Sequence, residues 1–246
     1  INTGAKTLSA IGVASITGTP TYTPVAPVSG GTTGYIEITW SEGVYTNGSP
    51  ASGAVVAGDF TVAFTQNAGG NSTAAVVSCV TDTASTSCPG AAPAAGATSM
   101  RLQITNTNAT SGVETIQVSA ASNAIYSATS GVTPTTVNTG TLTFPDRFAP
   151  SAPASLDLAA ADDTGSSNSD NITSQTTNLT ISGTAEANST VRIYLTSSAG
   201  TLLQTVTADG SGNWSGDITL SAGVNSIVAT ARDAASWSSS APSWCS

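Results

Sequence analysis

The sequence predicts an all-β fold, either a sandwich or a barrel, from three observations. Short runs alternate apolar with polar residues and are rich in the β-branched residues Thr, Val and Ile. Turn-forming segments separate these runs, for example 46–49 (TNGS) and 209–213 (DGSGN). No window repeats its apolar residues at the spacing of an amphipathic helix. Many short strands joined by such turns are typical of sandwiches and barrels.

The predicted strands fall into two groups along the chain. The first group comprises 8–16, 35–40, 60–65, 74–80, 100–105, 114–120 and 136–144. The second comprises 156–160, 178–182, 190–196, 202–208, 214–220 and 225–232. Each of these segments has the length and the alternation of a strand with one buried face.

A proline-rich stretch lies between the two groups. Pro145, Pro150 and Pro153 favour an extended connector, because proline cannot donate a hydrogen bond to a sheet ladder. We therefore predict an N-terminal domain over 1–145, a linker over 146–153 and a C-terminal domain with a short tail over 154–246.

The composition excludes several classes of function. The chain has no histidine, so a Ser-His-Asp triad, a Cys-His pair and a histidine metal site are all excluded. Its net charge is −9 and Lys6 is its one lysine, which argues against nucleic acid as a partner. None of its acidic residues forms a pair on a recognisable cleft strand, as glycoside hydrolysis requires. The prediction is a protein that is not an enzyme.

Hydropathy and cysteine content point to an extracellular location. No apolar run approaches the roughly 20 residues that span a bilayer. The chain begins at Ile1 rather than Met, as it would after removal of a signal peptide, although an excised fragment would look the same. Cys79 and Cys88 are spaced for a disulfide between neighbouring segments, which fits an oxidising compartment. The alternative for these two residues is a pair of small buried thiols.

Several strings in the second half resemble the bacterial immunoglobulin-like repeats of large surface adhesins and biofilm proteins. They are 149–153 (APSAP), 156–173 (LDLAAADDTGSSNSDNIT), 181–191 (ISGTAEANSTV), 208–214 (ADGSGNW) and 229–235 (ATARDAA). The first half resembles related modules more loosely, through 36–44 (IEITWSEGV), 58–62 (GDFTV) and 111–116 (SGVETI). The resemblance implies two tandem immunoglobulin-like β-sandwiches with a stalk or fibre role.

An oxygen-rich loop at 162–171 is the best candidate for a metal site. Calcium takes six to eight oxygen ligands, and this loop supplies Asp162, Asp163 and Asp170. If the domain has an odd number of strands, the exit of the last strand lies at the same end, which would add Asp233. Similar repeats are thought to bind calcium at such junctions. The alternative is a solvated turn whose aspartates cap backbone amides.

Other candidate residues concern association with partners. The segment 1–16 either pairs within its own sandwich or is donated to a neighbour, using apolar residues such as Leu8, Ile11 and Val13. Trp237 and Trp244 lie in a polar tail, where they would contact a neighbouring subunit, the next domain or a glycan. Trp40 and Trp214 lie in strands and are predicted to be core residues.

Together these features predict a non-catalytic extracellular protein, a subunit or stalk segment of a bacterial cell-surface fibre. Its expected partners are copies of itself or neighbouring immunoglobulin-like domains, with surface glycans as a further possibility. The alternative function is a carbohydrate-binding or accessory module of a larger secreted protein.

Overall fold

The computed structural model describes residues 12–25, 29–129, 131–235, 238–239 and 243–245, the last three by backbone alone. The fold is all-β, with one turn of 3-10 helix at Ala57–Asp59. The chain divides into two compact units, Ile1–Arg147 and Phe148–Ser246. No helix in the described part of the chain is long and apolar enough to cross a membrane.

The part of the first unit that the structure describes contains eleven strands. They are β1 (Ile16–Thr17), β2 (Tyr22–Pro24), β3 (Thr33–Tyr45), β4 (Asn47–Gly48), β5 (Ala51–Ser52), β6 (Phe60–Thr65), β7 (Ala75–Thr81), β8 (Ala97–Asn106), β9 (Thr115–Ala120), β10 (Tyr126–Ser127) and β11 (Leu142–Thr143).

Two antiparallel sheets form the sandwich of the first unit. One has the order β1-β3-β8-β7, with β2 and β10 also pairing to β3, and the other has the order β11-β9-β6. Apart from the short strands β2 and β10, one sheet has four strands and the other has three. In the four-stranded sheet β7 lies at the edge beside β8, which is the strand order of constant-type immunoglobulin domains. Strands β4 and β5 form a small separate hairpin.

The core of the first unit follows from strict alternation along β3. Its residues Ile36, Ile38 and Trp40 point inward. The residues that alternate with them, Tyr35, Glu37 and Thr39, point outward. The opposite sheet contributes buried residues such as Ile116 and Val118 to the same cluster. The two apolar faces bury one another, which is the main stabilising term in a sandwich.

The described residues of the second unit form seven strands. They are β12 (Ala154–Leu158), β13 (Leu179–Thr184), β14 (Thr190–Leu195), β15 (Thr201–Thr207), β16 (Asn213–Ile218), β17 (Ser226–Arg232) and β18 (Ser243–Cys245). One sheet has the order β12-β13-β16 and the other β15-β14-β17-β18. The two units differ in where one edge strand lies. In the second unit β15 pairs with β14, in the sheet without the first strand β12, whereas in the first unit β7 pairs with β8, in the sheet that contains the first strand β1.

Both sheets of the second unit contribute to one apolar core. Leu179, Ile181 and Trp214 come from the first sheet, and Ile193 and Ile227 from the second. The prediction that Trp40 and Trp214 are core residues is confirmed, because both are buried. Two sandwich cores along one chain account for its many short strands.

Most strands lie where the sequence predicts them, and 60–65 agrees at both ends. The predicted strand 136–144 is wrong over most of its length, because a turn at Asn138 and Gly140 interrupts it and only Leu142–Thr143 pairs in a sheet. Of the predicted strand 8–16, residues 8–11 lie outside the described residues, and only Ile16 belongs to β1.

The start of the predicted linker belongs to the first unit. Arg147 is buried, its backbone N–H donates to Thr110 O at 2.6 Å, and its carbonyl accepts from Gly30 N–H at 2.9 Å. Its guanidinium donates to Thr33 O at 2.8 Å and occupies the space that a Cβ on Gly31 would need. The boundary between the units follows Arg147, within the predicted linker.

Candidate functional site

One end of the second unit combines the acidic loop with an apolar groove. The loop runs from β12 to β13, so it lies at the end where Leu179 pairs with Ile218. The groove is lined partly by residues of the same loop, Asn171 to Thr176. The acidic loop and the apolar groove are therefore adjacent at one end of the unit.

Asp162 and Asp163 bind backbone amides of their own unit. Asp162 Oδ2 accepts a hydrogen bond from Thr180 N–H at 2.9 Å. Asp163 is buried, and its two carboxylate oxygens accept from Asn171 N–H at 3.0 Å and Ile172 N–H at 3.2 Å. The Asp162 bond joins the loop to the start of β13. The Asp163 bonds hold Asn171 and Ile172, which line the groove.

Asp170 closes a tight turn within the loop. Its carboxylate accepts from the Ser166 hydroxyl at 2.8 Å, from Ser167 N–H at 3.2 Å and from Ile172 N–H at 3.2 Å. The Ser166 hydrogen bond, above all, holds the pKa of Asp170 below its ordinary value, with the two amides adding to the effect. The carboxylate is therefore ionised at neutral pH.

The expected position of Asp233 beside this loop is wrong. Asp233 follows Arg232, which pairs with Thr190 at the end of the sandwich where β13 passes into β14. The acidic loop lies at the other end, about 17 Å away along β13 at roughly 3.3 Å per residue. Among the described residues the unit does have seven strands, but the seventh is β18, so Asp233 precedes that strand instead of following it.

The described residues contain no group of three or more His, Cys, Asp or Glu side chains that could hold a metal ion. In the loop, Asp162, Asp163 and Asp170 each accept hydrogen bonds from the protein, as amide-capping aspartates do. Calcium binding by this loop stays a prediction, without Asp233 as a ligand.

The groove beside the loop has a volume of about 580 Å³, within the range of sites that bind small molecules or side chains. Its floor is apolar and reaches the core of the unit at Leu158, Leu179 and Ile181. The remaining lining residues come from two loops and form the walls: Asn171, Ile172, Thr173, Ser174, Gln175, Thr176, Leu220, Ser221, Ala222, Gly223, Val224 and Asn225.

Two aliphatic side chains stand at the mouth of the groove in contact with water. Val224 is 88% exposed and Ile172 is 57% exposed. The lining holds no charged residue and no aromatic ring. A neutral aliphatic group fits this lining, whereas a sugar ring would lack a stacking partner and an ion would lack a counter-charge.

Cys79 and Cys88 form a disulfide, the pairing that the sequence predicts. Cys79 lies in edge strand β7 and Cys88 in the following loop, with Cα atoms 6.2 Å apart. The same loop is anchored at Ser85, whose carbonyl accepts from Arg101 Nη1 at 3.1 Å and from Gln103 Nε2 at 3.2 Å. The disulfide thus fastens a long loop over the outer face of its sheet.

A buried carboxylate that the sequence analysis did not select joins two loops of the first unit. Glu114 Oε1 accepts from Asn71 N–H at 2.7 Å and Ser72 N–H at 2.8 Å, and Oε2 accepts from Ser111 N–H at 2.9 Å. Burial alone raises the pKa of Glu114, but these backbone donors outweigh it and the pKa lies below its ordinary value.

The candidate contact residues are only partly described. Val13 is 47% exposed, and Leu8 and Ile11 lie outside the described residues. Trp237 also lies outside them. Trp244 is described by its backbone alone, which belongs to β18 and pairs with Ile227 of β17. The tryptophan side chains that the structure describes are both buried and offer no stacking surface.

The groove was missed because its residues are far apart in sequence. Ile172 and Val224 are exposed aliphatic residues in two different loops, 52 positions apart by their residue numbers. An exposed aliphatic residue in a loop was the available signal, and it gains meaning when two such residues lie at one end of a sandwich.

A comparison with curated proteins finds no match to the chain. The family model of the bacterial Ig-like domain matches residues 150–243. This range covers nearly all of the second unit, whose two-sheet architecture agrees with the match. The match is consistent with a non-catalytic surface or accessory module, and it makes residues 150–243 similar to bacterial Ig-like domains.

Proposed function

We propose that this chain is a non-catalytic structural protein of the bacterial cell exterior, a subunit or stalk segment of a surface fibre. The observation that carries the proposal is the repetition of a sandwich module along one chain, with the second module matched by a bacterial Ig-like family.

The composition of the surface supports an extracellular structural role. Charged residues make up 8% of the chain, against about 25% in ordinary soluble proteins, so hydroxyl and amide groups replace them. The Cys79–Cys88 disulfide fits an oxidising compartment. These features favour a position outside the cytoplasm.

Self-association through the N-terminal segment is part of the proposal. Residues after 11 are held by their own unit, because Gly12 O accepts from the Ser127 hydroxyl at 2.8 Å and Ile16 pairs with Trp40. We therefore propose residues 1–11, which include Leu8 and Ile11, as the segment donated to a neighbour. Val13 adjoins this segment and is exposed.

The experiment uses intact cells of the producing organism and the native protein released from them. Gold-labelled antibody against the chain should decorate the cell exterior, and the released protein should sediment as an assembly and form filaments in negative stain. Labelling confined to the cell interior would contradict the proposal, as would a monomer at every concentration tested.

A further inference from the structure

We propose that the apolar groove of the second unit is a docking site for residues 1–11 of a second copy of this chain. This inference rests on the proposed fibre role and names the surface through which one subunit would bind the next. It uses the groove lined by Leu158, Ile172, Leu179 and Val224.

The groove has the properties of an incompletely covered apolar site. Its floor is continuous with the core at Leu179 and Ile181, and Val224 and Ile172 remain exposed at its mouth. Apolar area exposed beside an open groove is stabilised when an apolar side chain covers it, by about 25 cal/mol per Å² of buried area. The occupant should therefore present aliphatic side chains.

The segment 1–11 contains such side chains and has no acidic residue. It contains Leu8 and Ile11 among small polar residues, and no Asp or Glu. Extended at roughly 3.3 Å per residue, eleven residues reach about 36 Å from their anchor at Gly12, far enough to enter a neighbouring molecule.

Charge complementarity selects this segment from the rest of the chain. Residues 148–246 carry eight acidic and two basic side chains, and Asp170 adjoins the groove through its bond to Ile172 N–H. The one lysine of the chain, Lys6, lies in the segment. Opposite charges at the edge of an apolar contact favour encounter and orient the partner, with a dependence on salt.

The test is a zero-length cross-linking experiment on the full-length chain. A carbodiimide joins a lysine amine to a carboxylate with loss of water, and Lys6 is the only lysine. Equal amounts of isotope-labelled and unlabelled chain are mixed, cross-linked at low salt and digested. We expect the Lys6 peptide joined to the peptide that contains Asp170, with one labelled and one unlabelled partner.

Substitutions at the groove mouth provide the matched controls. Val224→Asp should weaken self-association at least tenfold by sedimentation, because it places a charge at the apolar mouth without disturbing the core. Leu202→Asp, on β15 of the same unit and 49% exposed, should change it less than twofold. Lys6→Glu should weaken it severalfold, whereas Lys6→Arg should preserve it.

The outcomes separate this inference from the proposed function. Assembly on cells without the mixed-label cross-link, or assembly unaffected by Val224→Asp, overturns the groove assignment and leaves the fibre role standing. Cross-links only between peptides of the same label show that the segment binds its own copy, which also overturns it. A native protein that is never on the surface and never assembles contradicts the fibre role itself.

Discussion

The carboxylate of Glu114 accepts a hydrogen bond from Ser72 N–H at 2.8 Å, across 42 residues of sequence, inside the first sandwich. Through this contact the loop before β7 is held to the loop before β9. A charged group that is buried and bonded to backbone amides is costly to alter, because its donors lose their partner when the charge is removed.

Glu114→Gln should lower the free energy of unfolding of the first unit by about 2–3 kcal/mol, since the amide cannot accept from all of these donors. Chemical denaturation at pH 7 measures the change. Glu42→Gln, at a half-buried position in the same unit, is the control and should stay within about 0.5 kcal/mol.

The same carboxylate should make the first unit sensitive to acid. The folded pKa of Glu114 lies below its unfolded value, so its contribution is complete above about pH 4.3 and is lost as the pH falls through the folded pKa. Unfolding curves between pH 7 and pH 2 should show this loss in the native protein. Equal acid sensitivity in Glu114→Gln would assign the loss to other groups.

Arg147→Lys should destabilise the first unit by about 1–3 kcal/mol, because an ammonium group cannot reproduce the fixed fork of the guanidinium. The effect should appear in the melting transition of the first unit within the full-length chain. Arg192→Lys in the second unit serves as the comparison and should have little effect. A first domain ending at 145 should likewise be less stable than one ending at 150.

Loss of the Cys79–Cys88 disulfide should lower stability by about 2–3 kcal/mol, since a closed loop restricts the unfolded chain. The double substitution Cys79→Ser and Cys88→Ser avoids a free thiol. We also expect faster proteolysis between residues 82 and 91 in this variant. Unchanged cleavage there would mean that the bonds to Ser85 hold the loop without the disulfide.

Calcium binding by Asp162, Asp163 and Asp170 predicts a melting temperature that is higher in millimolar Ca²⁺ than in excess EGTA at low salt. Asp170→Asn should abolish the difference, whereas Asp233→Asn should preserve it, because Asp233 lies at the other end of the unit. Equal melting temperatures in the two solutions would show that these aspartates serve only as amide acceptors.

The strands could be predicted because each carries its own alternating pattern. In β3 the inward residues Ile36, Ile38 and Trp40 are separated by outward polar or amphipathic residues, so the local sequence contains the information. Strand β2 was missed because Pro20 and Pro24 argue against a strand, although an edge strand tolerates them.

The site was less predictable because it depends on which ends of strands meet. Asp162 and Asp170 were correctly placed in one loop, since they are neighbours in sequence. Asp233 was misplaced because the strand after it, β18, is short and follows a polar tail. The groove depends on Ile172 and Val224 in two separate loops, and no local pattern joins them.

The way in which Arg147 ends the first unit has a mechanical consequence. A pull on the chain beyond this residue acts first on its bonds to Thr110, Gly30 and Thr33, which lie in two segments well separated in sequence. Strand β11 has only two residues and would peel away under little load. With Arg147 as the anchor, tension is spread across the end of the sandwich before it reaches that strand.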